Sequence, residues 1–311
     1  MKVLVTCPPM LGLFEEFRDD FAAHGIEGVP AAVTQVMTED ELMDLLPDYD
    51  GWIIGDDPAT RQVFEAGRRG RLKAAVKWGV GTDNVDFEAC RDLGIPVTNT
   101  PGVFGREVAD VALTYLLGLA RETYRIDREI RGGGWPKPPG VSLWNKRVGV
   151  VGYGDIGRST VKRLLAFDLD VTVYDPFFKS DGQDVTHRSW PDGLEELDFL
   201  VFTCPLTPDT HHMFDMDTLP RLKRGVRIVN VSRGPVIAQD AIVRGLEDGT
   251  VHSAALDVFE VEPLAPDSPL RGFDRTIFGS HNGSNTVDAV RNVSRFAIRT
   301  IAGFLEDSGE S

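Results

Sequence analysis

Short apolar runs alternate along the chain with glycine- or aspartate-containing turns and with amphipathic segments. That alternation predicts parallel sheets with helices on their faces. In the first third, Lys2–Thr6, Gly51–Ile54 and Lys73–Lys77 read as strands and Ile95–Thr98 as extended. Helices are expected over Leu11–His24 and Asp86–Leu93. The third strand ends in the turn Trp78-Gly79-Val80-Gly81. A helical spacing then covers Arg106–Arg131 and stops at Gly132-Gly133-Gly134, after which prolines 136, 138 and 139 keep a loop extended. A second α/β unit opens at Arg147. Its expected strands are Val148–Val151, Asp170–Tyr174, Phe199–Thr203, Arg227–Val231, Ser253–Leu256 and Thr276–Phe278, enough for a doubly wound sheet. Thr286–Leu305 reads as one closing helix and Asp307–Ser311 as a frayed end.

Composition narrows what such a chain does. Its 311 residues suit about two domains. Acidic residues outnumber basic ones, 48 to 33, and the net charge of −15 repels phosphate backbones and anionic lipid. Nucleic-acid and membrane partners are therefore not expected, and no apolar run reaches the 18 residues of a membrane span. The start, MKVLVTCPPM, has too short an apolar run for a signal peptide. Cys7, Cys90 and Cys204 lie far apart with no CxxC spacing, so no metal site is expected and a reducing, cytoplasmic location fits.

Gly152-Tyr153-Gly154-Asp155-Ile156-Gly157 fits G-x-G-x-x-G between an apolar strand and a helical pattern. In that setting the glycines allow a tight turn, close approach of a pyrophosphate and helix–strand packing, with the anion on the helix N-terminus. Asp175 ends the next strand, where a carboxylate accepts both ribose hydroxyls and repels a 2′-phosphate. NAD is the expected cofactor. The alternative for Asp175 is a turn cap before Pro176, and nearby Lys179 weakens the preference for NAD somewhat.

Arg233 follows the strand Arg227–Val231, Asp257, Glu260 and Glu262 follow Ser253–Leu256, and His281 follows Thr276–Phe278. Ligands of open α/β sheets bind beyond the carboxyl ends of the strands. An arginine fork for a carboxylate, an imidazole for the proton and a carboxylate to fix its tautomer suit hydride transfer on a 2-hydroxy or 2-oxo acid. Each has a duller alternative: a surface ion pair, a solvated carboxylate, a turn cap.

These segments, together with Cys204-Pro205-Leu206-Thr207-Pro208 and Asn230–Gly234, resemble the D-isomer-specific 2-hydroxyacid dehydrogenase family over nearly the whole chain. The resemblance implies Arg233, Glu262 and His281 as catalytic residues and Asp257 as the nicotinamide-amide contact. It implies further cofactor contacts at Cys204, Pro205, Thr210, Val231, Ser232, Arg233, His281 and Gly283. Backbone amides of Gly79-Val80-Gly81 would bind the substrate carboxylate. It also implies a flavodoxin-like substrate domain, 1–98 plus 285–311, a Rossmann NAD-binding domain, 99–284, a cleft between them, and a homodimer. The phosphoglycerate dehydrogenase branch is similar around Lys77–Asp86, with Lys77 at its arginine position. Lys77 would then meet a second anionic group, as on 3-phosphoglycerate, or else close an edge strand. Several features depart from that branch: Ser280-His281-Asn282, Glu107, a loop Trp135–Val141 whose only charge is Lys137, and no regulatory domain. Glyoxylate or hydroxypyruvate reduction is the alternative within the family, and an NAD-sensing protein like the co-repressors of this fold is the alternative outside it. Formate dehydrogenation is argued against by Glu262.

Overall fold

In a computed structural model the chain divides into two compact units, Met1–Phe104 with Asn285–Ser311 and Gly105–Ser284; residues 1–307 are described.

The first unit runs β1 (Lys2–Val5), α1 (Pro8–Leu11), α2 (Arg18–Ala23), β2 (Glu27–Pro30), α3 (Glu39–Leu45), β3 (Gly51–Ile54), α4 (Arg61–Arg69), β4 (Ala74–Lys77), α5 (Phe87–Asp92) and β5 (Val97–Asn99). The strands pair in parallel in the order β2-β1-β3-β4-β5, a flavodoxin-like winding. Every residue of β3 and β4 is buried, as expected of central parallel strands covered on both faces. One cover is the closing helix, Val287–Asp307, which packs on β3 and β4. Gly51 makes room for it: a Cβ there would lie 2.9 Å from Ile301 Cδ1. Trp78 Nε1 donates to Ser294 Oγ across the same contact (3.1 Å). The fraying expected for Asp307–Ser311 falls, beyond Asp307, outside the described residues.

The single helix expected over Leu11–His24 is not continuous: α1 ends at Leu11, a 3-10 turn covers Phe14–Phe17, and α2 follows from Arg18. A three-residue repeat places Phe14 and Phe17 on the same side, and both are buried.

The second unit runs α6 (Gly105–Arg121), α7 (Thr123–Arg131), β6 (Arg147–Val151), α8 (Asp155–Leu165), β7 (Asp170–Tyr174), β8 (Thr186–Arg188), β9 (Phe199–Phe202), β10 (Val226–Asn230), α9 (Gln239–Asp248), β11 (Val251–Leu256) and β12 (Thr276–Phe278). Its all-parallel order is β12-β11-β10-β9-β6-β7-β8, a Rossmann sheet with one added strand. The winding reverses between β6 and β9, which sets the ligand crevice beyond the carboxyl ends of those strands. Arg106–Arg131 is likewise two helices. Glu122 interrupts it with φ 52°, in the left-handed region, and its carboxylate takes Arg125 Nη1 at 3.0 Å.

Candidate active site

The glycine loop joins β6 to α8. Gly152 has φ 93°, and a Cβ on it would lie 2.7 Å from the Cys204 backbone. A Cβ on Gly157 would lie 2.1 Å from the Gly152 carbonyl oxygen, so the third glycine sets how closely helix and strand approach. Gly154 caps α8 with open space beside it. The N–H groups of Asp155, Ile156 and Gly157 have no hydrogen-bond partner among the described residues. Open first-turn amides behind a glycine without a side chain make the cradle that a diphosphate needs, and the residues present fit a dinucleotide. The Asp155 carboxylate turns toward Gly105, where a Cβ would lie 2.5 Å from it. The Tyr153 ring is buried, and its hydroxyl donates to Asp181 Oδ1 at 2.8 Å.

Asp175 follows β7. Its Oδ2 accepts the Tyr153 N–H (2.6 Å) and its Oδ1 the Phe177 N–H (2.7 Å). The carboxylate thus touches the glycine loop and caps its own turn at once. Beyond β9, Cys204 is buried with Sγ 3.8 Å from Met213 Sδ. Thr210 Oγ1 donates to the Pro205 carbonyl (2.7 Å) and accepts the Thr207 N–H (2.8 Å), closing that loop tightly.

The next strand ends carry the candidate reactive groups. After β10, Asn230 shapes the segment: its Oδ1 accepts from Ser232 N (3.0 Å) and Ser232 Oγ (2.8 Å), and its Nδ2 donates to the Arg233 carbonyl (3.0 Å). Val231 and Ser232 are buried in that turn. Arg233 Nη1 donates back to the Ser232 carbonyl (3.0 Å), which orients the guanidinium plane. Gly234 then passes so near Phe259 that a Cβ would lie 1.8 Å from its carbonyl oxygen.

After β11, Asp257 is 2% exposed. Its Oδ1 accepts from the Tyr115 hydroxyl (3.0 Å) and its Oδ2 from Gly283 N–H (2.9 Å). His281 N–H donates to the Asp257 carbonyl (2.7 Å). His281 is held at φ 55°, in the left-handed region that few non-glycine residues adopt, and Nδ1 lies 2.8 Å from Glu262 Oε2. Glu262 Oε1 accepts the Phe259 N–H (3.0 Å), so the carboxylate that orients the ring is itself fixed. Both side chains remain about one-quarter exposed. Glu260, two residues away, faces elsewhere and binds His212 Nε2 and the Gln239 N–H (3.1 Å), beside a groove of about 650 Å³. The structure therefore joins Glu262 and His281, puts Arg233 beyond β10, which adjoins β11, and sets Glu260 apart.

In the first unit, Gly79 has φ 129°, and its N–H donates to Thr100 Oγ1 (2.8 Å). Asn99 Nδ2 holds the Val80 carbonyl (2.8 Å). The N–H groups of Val80 and Gly81 have no partner among the described residues. Of the three turn amides named from the sequence, these two stay open to an anion. Lys77 is a correction. Its ammonium donates to Gly55 O (2.6 Å), Asp56 Oδ1 (3.0 Å) and Trp78 O (3.2 Å), and the side chain is 2% exposed. Its three donors are used inside the fold, so a second substrate anion finds none. Nor does it close an edge, because β4 lies between β3 and β5. Beside it, Asp57 is buried, and that burial raises its pKa even though Thr6, Met37 and Gly55 donate to it.

Sequence reading missed Tyr115, Asn230 as an organiser of its loop, and Gly279. Asn230 opens a segment that carries the resemblance, which leaves its role in folding that loop unmarked, and no motif marks Tyr115 or Gly279, whose partners come from distant segments. Among the described residues, no group of three or more His, Cys, Asp or Glu side chains is placed to hold a metal ion, and no helix is long and apolar enough to cross a membrane.

Residues 113–283 match the family model described as D-isomer specific 2-hydroxyacid dehydrogenase, NAD binding domain. The chain is 34% identical over 262 residues to a hydroxypyruvate reductase of Thermotoga maritima, covering 83% of this chain and 85% of that one. It is 32% identical over 299 residues to a D-3-phosphoglycerate dehydrogenase of Methanocaldococcus jannaschii, covering 93% of this chain and 54% of the relative. A solved structure, the TT0316 protein of Thermus thermophilus, superposes with a TM-score of 0.87 at 30% identity, over 99% of this chain and 97% of that one. With a Rossmann unit whose glycine loop fits a dinucleotide and whose strand ends carry Arg233, Glu262 and His281, the chain belongs to the NAD-dependent D-isomer-specific 2-hydroxyacid dehydrogenases.

Proposed function

We propose that this enzyme reduces a small, singly charged 2-oxo acid of the size of glyoxylate or hydroxypyruvate. The observation that carries the chemistry is the His281–Glu262 pair, 2.8 Å apart, with Glu262 pinned by the Phe259 amide. Nδ1 is committed to the carboxylate, so proton exchange with the substrate oxygen falls to Nε2. In reduction, protonated His281 gives that proton to the carbonyl oxygen, and Glu262 stabilises the imidazolium before the step. When bound, the reduced nicotinamide supplies a hydride to carbon 2 of the acid. Arg233 would hold the carboxylate and polarise the adjacent carbonyl with its fork. In the first unit, which we assign to the substrate, the open amides of Val80 and Gly81 suit a carboxylate. In the second, we assign the dinucleotide to Gly152–Gly157, Asp175, Cys204, Pro205, Thr210, Val231, Ser232, Asp257 and Gly283. His281 and Arg233 would touch both ligands.

Lys77 favours the small, singly charged class. Its donors are spent on Gly55, Asp56 and Trp78, and the loop Trp135–Val141 offers Lys137 alone. A phosphorylated acid would find little to neutralise it. We also place the enzyme in the cytoplasm as a homodimer. Three buried, unpaired thiols suit a reducing compartment. Exposed Tyr124, Ile130, Trp135 and Trp144 supply apolar surface for a partner subunit.

The test is NADH oxidation by the purified protein against glyoxylate, hydroxypyruvate, pyruvate, phosphohydroxypyruvate, branched and aromatic 2-oxo acids. The proposal expects the highest kcat/KM on glyoxylate or hydroxypyruvate. Preference for phosphohydroxypyruvate would overturn the substrate class. Tight NADH binding with no turnover on any acid would favour an NAD-sensing role.

A further inference from the structure

The surroundings of Asp257 hold a residue that no motif marks. Tyr115 lies in the middle of α6, is 8% exposed, and sends its hydroxyl to Asp257 Oδ1 at 3.0 Å. The other oxygen takes the Gly283 amide at 2.9 Å. Asp257 has no cation among its partners in the described residues, although it is 2% exposed. A carboxylate has about four acceptor positions. Two neutral donors fix its rotamer from opposite sides and leave acceptor capacity on each oxygen. A buried carboxylate so placed calls for a further neutral donor, such as a primary amide.

Gly279 makes this contact possible. A Cβ there would lie 2.0 Å from Asp257 Oδ1 and 2.4 Å from the Tyr115 hydroxyl oxygen. The hydroxyl-to-carboxylate contact therefore occupies the space that any other residue at 279 would fill. Tyr115 and Gly279 form a matched pair across 164 positions of sequence. Burial and the adjacent Asp257 charge push the Tyr115 pKa well up, so the hydroxyl stays a donor at any working pH.

We infer that Tyr115 is a positioning residue that aims Asp257 at the carboxamide of the nicotinamide ring, with Gly279 as its steric counterpart. The inference rests on the reading of Asp257 as the carboxamide contact.

The test is a set of fluorescence and calorimetric titrations that needs no turnover. The ligands are NADH, its reduced 3-acetylpyridine analogue (a methyl ketone in place of the amide) and ADP-ribose. Tyr115→Phe removes only the hydroxyl. It is expected to weaken NADH binding about three- to tenfold, the worth of one hydrogen bond, and to leave the other two ligands within about twofold. Gly279→Ala, which forces the same contact apart, is expected to give the same selective loss. Undiminished NADH affinity in Tyr115→Phe, or an equal loss for all three ligands, overturns the inference. Asp257→Asn separates the two levels. If it lowers the preference for NADH over the analogue and Tyr115→Phe does not, the role of Tyr115 fails alone. If Asp257→Asn leaves that preference unchanged, the reading of Asp257 fails and the inference with it.

Discussion

At Asp175 the turn cap and the proposed ribose contact, rivals in sequence, do not exclude each other. Its oxygens accept N–H groups from the glycine loop and from its own turn, so it caps the turn and still faces the dinucleotide loop. Each oxygen keeps acceptor capacity for a ribose hydroxyl, while its charge opposes a 2′-phosphate. Asp175→Ala is expected to narrow the NADH-to-NADPH ratio of kcat/KM by about tenfold, an effect near 1.4 kcal/mol. An unchanged ratio would mean that another group reads the ribose. The placement of Arg233, Glu262 and His281 beyond β10, β11 and β12 was legible because strand ends bring chemically distinctive residues to one edge of a sheet. Tyr115 was not legible, because a tyrosine in an apolar helix reads as core until its hydroxyl is seen to meet Asp257. Lys77 was misread for the converse reason. A lysine beside a glycine turn reads as a ligand contact until three carbonyl and carboxylate oxygens are found around it.

Periodicity located most strands, though not β2 or β8, since buried parallel strands are short, continuous apolar runs. It failed where polar or local effects decide. β8 is Thr186-His187-Arg188, an edge strand with no apolar run to betray it. The breaks in Leu11–His24 and Arg106–Arg131 come from a 3-10 turn and from one left-handed residue, neither of which disturbs the spacing of apolar positions. Where an element must approach another, the glycine loop was legible and its tolerance is testable. Gly157→Ala would place a Cβ 2.1 Å from the Gly152 carbonyl oxygen. The strand and helix must then separate, at a cost of about 1–3 kcal/mol. Calorimetry is expected to show a lower Tm and a loss of NADH affinity together. A variant that binds NADH normally would show that the loop does not need this approach.

At the scale of the whole molecule, stability should carry an acid-sensitive component. His252 is half-buried in β11, and burial, then the Arg227 and Arg275 charges, push its pKa below 6.5. The unfolded chain takes up a proton as pH falls through about 6.5, whereas the folded protein resists it. Stability from this residue is therefore full above that pH and declines below it. Thermal unfolding between pH 7.5 and 5 is expected to show a falling Tm, with a shallower fall in His252→Gln; equal slopes would remove His252 as a cause. As a catalyst, the whole molecule is proposed to move its proton through one imidazole, that of His281. Turnover of the best 2-oxo acid and NADH affinity, measured side by side for the unaltered enzyme and His281→Ala, test it most directly. The account predicts a drop in kcat of roughly 10²–10⁴-fold with NADH affinity nearly unchanged. Turnover within a few-fold of the unaltered enzyme would contradict it.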